Sequence, residues 1–226
     1  MNFIRFAIIG ILILTFVVTL LAYPHMPDPV PSHWNAAGTV DGELPKFWGL
    51  VIVPTLMIGL TALFAVLPRI DPLRKNYEKF RDYYEGFILV FAAFLFFIQM
   101  QIILWGMGTQ VSPNLTMPVM IGILFICIGF LTEHTEPNWF VGIRTPWTLS
   151  SERVWKKTHD RGGTLFKLAG LVSIVGAVAG IYAWLFIIVP VIAVAVYTVV
   201  YSYVEFKREL ENRTTEWEQI RNIPSF

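Results

Sequence analysis

The sequence has few charged residues and almost no cysteine. Charged residues make up 15% of its 226 positions and hydrophobic residues 55%, and the mean hydropathy is +0.60. Soluble domains carry about 25% charged and about 45–50% apolar residues. The net charge is only +1, whereas a nucleic-acid-binding protein usually has an excess of basic residues. The single cysteine, Cys127, cannot form an internal disulfide or a zinc finger. The composition favours a protein embedded in a membrane.

Charge is absent from long stretches of the chain, and a membrane helix needs about 20 mostly apolar residues. The stretches 6–22 and 47–67 each predict one span. The stretch 86–132 is too long for one helix and contains turn-forming residues, so it predicts two spans, at 86–107 and 117–132. Four spans are therefore predicted before residue 133.

The last charge-free stretch, 168–204, would be about 55 Å long as a single helix. It therefore predicts a fifth span that begins near Thr164, a tight turn near Trp184 to Pro190, and a sixth span. The first span follows a basic N-terminus as in a signal peptide, but the residues after it are large, beginning with Tyr23. We expect it to be retained as a helix.

The basic residues lie in alternate loops. With six spans and a cytoplasmic N-terminus, 16 of the 17 Lys and Arg residues lie inside and only Lys46 lies outside, in agreement with the cytoplasmic bias of basic loops. The sequence predicts an all-α, polytopic membrane protein of about six transmembrane helices with both termini cytoplasmic. Its predicted parts are a two-helix unit (1–67) with an extracytoplasmic Pro-rich loop, a cytoplasmic amphipathic segment (68–85) and a four-helix unit (86–226) with a cytoplasmic loop at 133–163.

The outer loop, 23–46, combines prolines with turn-forming and ionisable residues. Four prolines between positions 24 and 31 favour an extended entry. One interpretation is that the polar side chains cap turns. The alternative is a metal site with His25, His33 and Asp41 as ligands, although their spacing matches no metal motif.

The amphipathic segment carries aromatic residues at helical spacing. Tyr77, Phe80, Tyr84 and Phe87 recur every three or four positions, with charged residues between them, which predicts a helix leading into the third span. One interpretation is an extension that touches the membrane headgroups, and the alternative is a docking surface for a partner.

The inner loop is long for a connection between helices and rich in large aromatic residues. Gly142 permits a positive φ, and Ser150 or Ser151 is a candidate N-cap. We expect a short helix from there to His159 that ends near Gly162-Gly163. Arg144 stands between apolar neighbours, so we expect it to pair with a carboxylate or a backbone carbonyl, or to bind an anion.

Two other function classes compete for these residues. A membrane-embedded enzyme acting on lipid or peptide is motivated by His134, Glu136, Arg144 and His159, which share this loop, and the two histidines with Glu133 and Glu136 are a further metal or proton-site candidate. A small-molecule transporter needs ionisable residues inside the spans, and none lies well inside one.

The two loops resemble a known family. Residues 138–159, NWFVGIRTPWTLSSERVWKKTH, resemble the defining stretch of the SdpI family of bacterial and archaeal membrane proteins, and 27–42, PDPVPSHWNAAGTVDG, are similar to a domain of unknown function that often precedes it. The resemblance implies a multi-pass cell-membrane protein of immunity and signal transduction, without cofactors or catalytic residues. It implies as partners membrane lipids, a secreted membrane-active peptide toxin and a cytoplasmic transcriptional repressor, but no direct contact with nucleic acid.

The resemblance also implies which residues bind. On the cytoplasmic side the implied ligand- or partner-binding residues are Asn138, Phe140, Gly142, Arg144, Thr145, Pro146, Trp147, Thr148, Trp155 and His159. On the extracytoplasmic side they are Pro29, His33, Trp34, Asn35, Gly38 and Asp41.

Overall fold

The computed structural model describes residues 2–221, which form a bundle of long helices. The helices are α1 (Asn2–Ala22), α2 (Lys46–Ile70), α3 (Tyr77–Gly106), α4 (Pro113–His134), α5 (Pro146–Ser150), α6 (Glu152–Val175) and α7 (Leu185–Arg221), and the strands are β1 (Val30–Trp34) and β2 (Val40–Leu44). Within these described residues, all helices except α5 are long and apolar enough to cross a membrane. The prediction of a six-span helical membrane protein is confirmed. The last five residues of the unit predicted over 86–226 lie outside the described part.

The connections lie at two opposite ends of the bundle. At one end, which we call the signature end, Arg5 of α1 contacts Glu85 of α3 at 2.6 Å, and the loop between α4 and α6 closes the bundle. At the other end, the hairpin end, Asn114 of α4 donates to the carbonyl of Ala36 between the two strands at 2.9 Å. Which end faces the cytoplasm stays a prediction.

Helices α1, α2 and α3 pack together around a few polar groups. The Gln99 side-chain amide donates to Thr19 Oγ1 at 3.0 Å and to the carbonyl of Leu50 at 3.1 Å, and all three groups are buried. One side chain of α3 is thereby bonded to both α1 and α2. Such interhelical bonds hold helices together where hydrocarbon offers no partner for a polar group.

Helices α4 and α6 pack backbone against backbone. A Cβ atom on Gly122 would come within 2.6 Å of the carbonyl oxygen of Gly170, and one on Gly170 within 2.5 Å of the oxygen of Gly122. Gly129 and Gly163 form the same reciprocal pair, each 2.6 Å from the other's oxygen. Glycines seven residues apart on each helix therefore let the two antiparallel backbones touch, as small residues do in membrane helix pairs.

The prediction that a short helix ends near Gly162-Gly163 and a new one begins near Thr164 is wrong. Helix α6 runs without interruption from Glu152 to Val175. The two glycines are buried contact positions: a Cβ on Gly162 would overlap Ile143, and one on Gly163 would overlap Glu133. Glycine is needed there for close packing and not for a change of chain direction.

The predicted turn near Trp184 to Pro190 lies earlier. The chain turns through the 3₁₀ segments Gly176–Val178 and Gly180–Tyr182, and Gly180 has a φ of +58°. A Cβ on Gly176 would overlap Phe186, so the first glycine permits a tight fold-back. Pro190 lies inside α7, as prolines do in membrane helices.

The outer loop and the amphipathic segment are more ordered than the sequence predicts. The outer loop forms an antiparallel hairpin of β1 and β2, in which Val30 pairs with Leu44. The aromatic segment is helical, as predicted. However, Tyr77, Phe80 and Tyr84 are buried within the protein in one cluster with Leu131 of α4, and do not rest on headgroups.

Candidate functional site: the signature loop

The loop at residues 135–151, which we call the signature loop, is organised around Asn138. This side chain is 1% exposed. Its Nδ2 donates to the carbonyls of Glu136 and Val141, both at 2.9 Å, and its Oδ1 accepts from the amides of Phe140 and Val141 at 2.9 and 2.6 Å. The buried carboxamide thus replaces the backbone pairing that this irregular segment lacks.

Asp71, at the end of α2, holds the signature loop from the other side. The residue is 2% exposed. Its Oδ1 accepts from the amide of Leu73 at 2.7 Å and its Oδ2 from the amide of Trp139 at 2.9 Å. Nearby, Asn76 Nδ2 donates to the carbonyl of Pro137 at 2.7 Å. Neither Asp71 nor Asn76 was predicted from the sequence, where the only signal is the Asp-Pro pair that follows the second span.

Gly142 and His159 fit together under the loop. Gly142 has a φ of +110°, and a Cβ there would overlap the His159 ring at Nε2. Nδ1 of the buried imidazole is 2.8 Å from the carbonyl oxygen of Trp155. Its Nε2 accepts a hydrogen bond from the amide of Ile143 at 2.9 Å. This geometry requires a neutral ring with its proton on Nδ1. Trp155 stacks on this ring and donates from Nε1 to the carbonyl of Thr135 at 2.7 Å.

The Thr145-Pro146-Trp147-Thr148 segment starts the short helix α5. Thr145 and Thr148 form a reciprocal capping box, with Pro146 at the first helical position. Thr145 Oγ1 also donates to Ser202 Oγ of α7 at 3.0 Å, in a buried contact. The Trp147 ring packs edge-on against Tyr203 at 5.1 Å. The signature loop is thereby joined to the last helix.

Ionic contacts tie the start of α6 to α7. Glu205, whose side chain is 6% exposed, contacts Lys157 at 2.6 Å and Arg208 at 2.9 Å. Ser151 caps α6 and donates to Glu209 at 2.6 Å. These bonds fix the direction in which α6 leaves the loop.

The residues of the signature therefore fall into two groups. Five of the ten are buried and hold the loop's own fold, namely Asn138, Thr145, Thr148, Trp155 and His159, and Gly142 is needed for their fit. The others face outward: Phe140, Arg144 and Pro146 are exposed and Trp147 is half-buried. Trp139 and Leu149, which are 55% and 51% exposed, extend this face.

Arg144 lies on this outward face. Its Nη1 donates to the carbonyl of Trp139, and a bond to a backbone carbonyl is one of the arrangements expected from the sequence. Among the described side chains no carboxylate forms an ion pair with it. The guanidinium therefore has donors left for an anionic group.

The residues behind the enzyme hypothesis make their contacts with different partners. His134 lies near the carbonyl of Phe130 and stacks on Tyr83, whereas His159 is enclosed under Gly142. Within residues 2–221, no group of three or more His, Cys, Asp or Glu side chains is placed to hold a metal ion.

At the hairpin end, the outer motif residues shape the turn between the strands. His33 and Asp41 pair across the hairpin at 2.5 Å and are exposed, while His25 lies in a separate 3₁₀ turn. Asn35 Oδ1 accepts from the amides of Ala37 and Thr39, and Gly38 turns the chain with a φ of +78°.

The remaining two residues of that motif lie at the start of the hairpin and against the bundle. Trp34 packs edge-on against Trp105 of α3 at 5.7 Å. Pro29 follows Asp28, whose carboxylate accepts from the amide of Lys46 at 3.0 Å. The outer motif and the signature loop are therefore at opposite ends of the bundle.

An apolar crevice of about 300 Å³ lies beside the signature loop. The crevice is half-open and lies between α2 on one side and α4 and α6 on the other. A gap remains there because α2 packs mainly on α3, whereas α4 packs mainly on α6. Its lining includes Phe64, Leu67, Ile128, Phe140, Ile143 and Phe166.

The fold and the two ordered loops define a multi-pass protein of the cell membrane. Residues 134–202 match the model of the SdpI/YfhL protein family, and residues 10–58 match that of a domain of unknown function, DUF1648. The chain is 27% identical over 207 residues to the Immunity protein SdpI of Bacillus subtilis (strain 168), covering 89% of this chain and 96% of that protein. These matches confirm the resemblance predicted from the two loops: one segment is similar to the SdpI/YfhL family and, ahead of it, another is similar to DUF1648.

A second relative covers less of the chain. The uncharacterized membrane protein YbgB of Bacillus subtilis (strain 168) is 33% identical over 49 residues, which are 22% of this chain and 54% of that protein. No solved structure matches.

Proposed function

We propose that this chain is a membrane immunity protein that protects the cell producing it from a membrane-active peptide toxin. The observation that carries the proposal is the extent of the similarity to Immunity protein SdpI, which covers 89% of this chain. The outward face of the signature loop, with Phe140 and Arg144, supports a binding role because these side chains are exposed on a loop that buried side chains such as Asn138 hold in place. The proposal assigns no chemistry to the protein.

A killing assay tests this function. A toxin-sensitive Bacillus strain without its own immunity gene would express the wild type or a variant at matched membrane levels. We expect the wild type to survive the peptide toxin and Arg144→Ala to lose protection. Arg153→Ala is the control, since this exposed arginine lies at the same end in α6. Death with the wild type would refute the proposed function, and full protection by Arg144→Ala would refute the role of the loop.

The outer motif is proposed as the place where the toxin is met. His33 is the residue to change, with Glu43→Ala as an exposed control on the other strand. If the hairpin meets the toxin, His33→Ala lowers survival and Glu43→Ala does not. Equal survival of both variants would remove the hairpin from the proposal and leave immunity standing.

The finer proposal is that the signature loop holds a cytoplasmic repressor at the membrane when toxin is present. The family resemblance implies a repressor, and a fluorescent fusion of that repressor would show whether it moves to the membrane. We expect toxin-dependent membrane fluorescence with the wild type and cytoplasmic fluorescence with Arg144→Ala. Cytoplasmic fluorescence with the wild type, in cells that survive, would show immunity without signalling.

The proposed toxin contact requires the hairpin to lie outside the cell, and the proposed repressor contact requires the signature loop to lie in the cytoplasm. Thiol labelling tests this orientation in a Cys127→Ser background. Ala37→Cys on the hairpin and Asp160→Cys on α6 both give exposed thiols. We expect a membrane-impermeant maleimide to label intact cells at position 37, and position 160 only after permeabilisation. The reverse result would contradict the orientation.

A further inference from the structure

We propose that the crevice beside the signature loop binds an anionic phospholipid, with an acyl chain between α2 and α4 and the headgroup phosphate on Arg144. This inference does not depend on the immunity function. It rests on the shape and lining of the crevice and on the charge at its end.

The crevice suits hydrocarbon. Its volume of about 300 Å³ is at the lower end of ordinary ligand pockets, about 300–1,000 Å³. Leu67, Ile128 and Phe166 belong to three membrane-spanning helices, and the crevice between them is half-open. The neighbouring residues Leu63 and Val66 on α2 are 47% and 41% exposed, so the surface around the opening is apolar as well. In a membrane, lipid acyl chains contact an apolar surface of this kind.

The signature loop places a cation at one end of the crevice. Residues 140–143 line the crevice, and Arg144 follows directly. Its guanidinium donates to the carbonyl of Trp139, next to Phe140, so the positive charge stays beside the lining. Arg69, exposed two residues beyond the lining residue Leu67, adds a second cation at this end.

The charges around Arg144 leave it free for a phosphate. Two carboxylates belong to this region: Asp71 is buried and already accepts backbone amides from Leu73 and Trp139, and Glu136 contacts Lys79 at 3.9 Å. Among the side chains that the structure describes, neither Arg144 nor Arg69 has an ion pair. An arginine with free donors at the level of the headgroups binds phosphate with a planar fork of N–H groups.

Aromatic residues mark the same level of the membrane. Trp139 is 55% exposed and Phe140 is 36% exposed, and Trp is enriched where the hydrocarbon meets the headgroups. An apolar chain inside the crevice and a phosphate on Arg144 therefore lie at the depths where a phospholipid has these two parts. A hydrophobic peptide would fill the crevice equally well, but it has no anionic group that must lie at this level.

Photo-crosslinking tests the proposal with the purified full chain in nanodiscs. Two probes carry the same diazirine acyl chains, one on phosphatidylglycerol and the other on phosphatidylcholine. Peptide mapping compares labelling of residues 140–143 with labelling of the exposed face of α7. We expect crevice labelling by the anionic probe to exceed that by the zwitterionic probe by about fivefold, with no such ratio on α7. If the ratio of anionic to zwitterionic labelling is the same at residues 140–143 as on α7, the proposal is overturned.

Variants separate the two halves of the site. Arg144→Gln should bring the headgroup ratio in the crevice close to one, Arg144→Lys should keep most of it, and Arg153→Gln should leave it unchanged. Leu67→Trp should reduce crevice labelling by both probes, whereas Leu56→Trp, exposed on the same helix about two turns before the lining residue Phe64, should not. A ratio unchanged in Arg144→Gln would refute the headgroup assignment.

Competition identifies the occupant. An excess of unlabelled phosphatidylglycerol should abolish the labelling. If an apolar synthetic peptide of about 20 residues displaces the lipid probe completely while unlabelled phosphatidylglycerol does not, the crevice is a peptide site and the lipid proposal fails.

Discussion

Gly142 offers the sharpest test of how the signature loop is held. Gly142→Ala places a methyl group where the His159 ring lies and also forces an L residue to a φ of +110°. The backbone strain costs about 1–3 kcal/mol. The ring must then move, and the bond from the Ile143 amide to Nε2, 2.9 Å long, is lost at about 1–3 kcal/mol for a buried donor.

Gly108→Ala is the matched control because it carries the strain without the overlap. Gly108 has a φ of +89°, and a Cβ added there would have no atom within 4 Å. The lost bond, which the control does not lose, weakens the closed loop in Gly142→Ala by a further 1–3 kcal/mol, roughly. In a local opening equilibrium this corresponds to about 5- to 150-fold.

Hydrogen exchange of the Ile143 amide, followed by mass spectrometry on the purified protein, measures this difference. We expect exchange to be faster by at least that factor in Gly142→Ala, because strain at position 142 also favours opening, and unchanged in Gly108→Ala, which lies outside the loop. Adding His159→Gly to Gly142→Ala should cost less than the sum of the two single changes, since without the ring there is no overlap. Full protection of Ile143 in Gly142→Ala would refute this account of how the loop is held.

Three further predictions concern stability, measured as the melting temperature in detergent. Gly163→Ala should destabilise by about 1–3 kcal/mol, because its new Cβ meets backbone atoms of α4, whereas Gly59→Ala, in open space on α2, should be neutral or slightly stabilising; equal shifts would contradict the helix packing. Asn138→Ala should cost at least about 2 kcal/mol, since several buried bonds are lost together, and a change below about 0.5 kcal/mol would disprove its central role. Lys157→Ala should cost about 1–3 kcal/mol and less in a Glu205→Gln background, so additive effects would show that the pair does not couple.

The membrane-spanning fold could be predicted because the hydrocarbon core of a membrane does not tolerate unpaired backbone groups. A charge-free run of sufficient length has few alternatives to a helix, so the spans and most of their ends follow from where charges and turn residues lie. Gly162-Gly163 led to the wrong helix boundary. Glycine ends a helix in water by relieving strain, but inside a membrane bundle it also permits contact between backbones, and the sequence alone does not distinguish these two uses.

The site was predicted only as a set of positions. The loop pattern identified Asn138 and His159 as important, but it did not show that both are enclosed and bonded to the loop's own backbone. Asp71 was missed because its bond to the Trp139 amide joins residues that are 68 positions apart in the sequence. A lone aspartate after a helix carries no local sign of such a partner, since the contact exists only once both helices are placed.

Helix α6 continues from the signature loop into the membrane as one rod of about 36 Å. One end is fastened to the loop through Trp155 and His159, and the reciprocal glycine contacts with α4 lie along its length. None of the three glycines of this rod faces open space: Gly163 and Gly170 contact the backbone of α4, and Gly162 contacts Ile143. One packed helix pair therefore extends from the signature loop to Asn114, where α4 meets the hairpin, so the two ordered loops at opposite ends of the bundle share the same supporting helices.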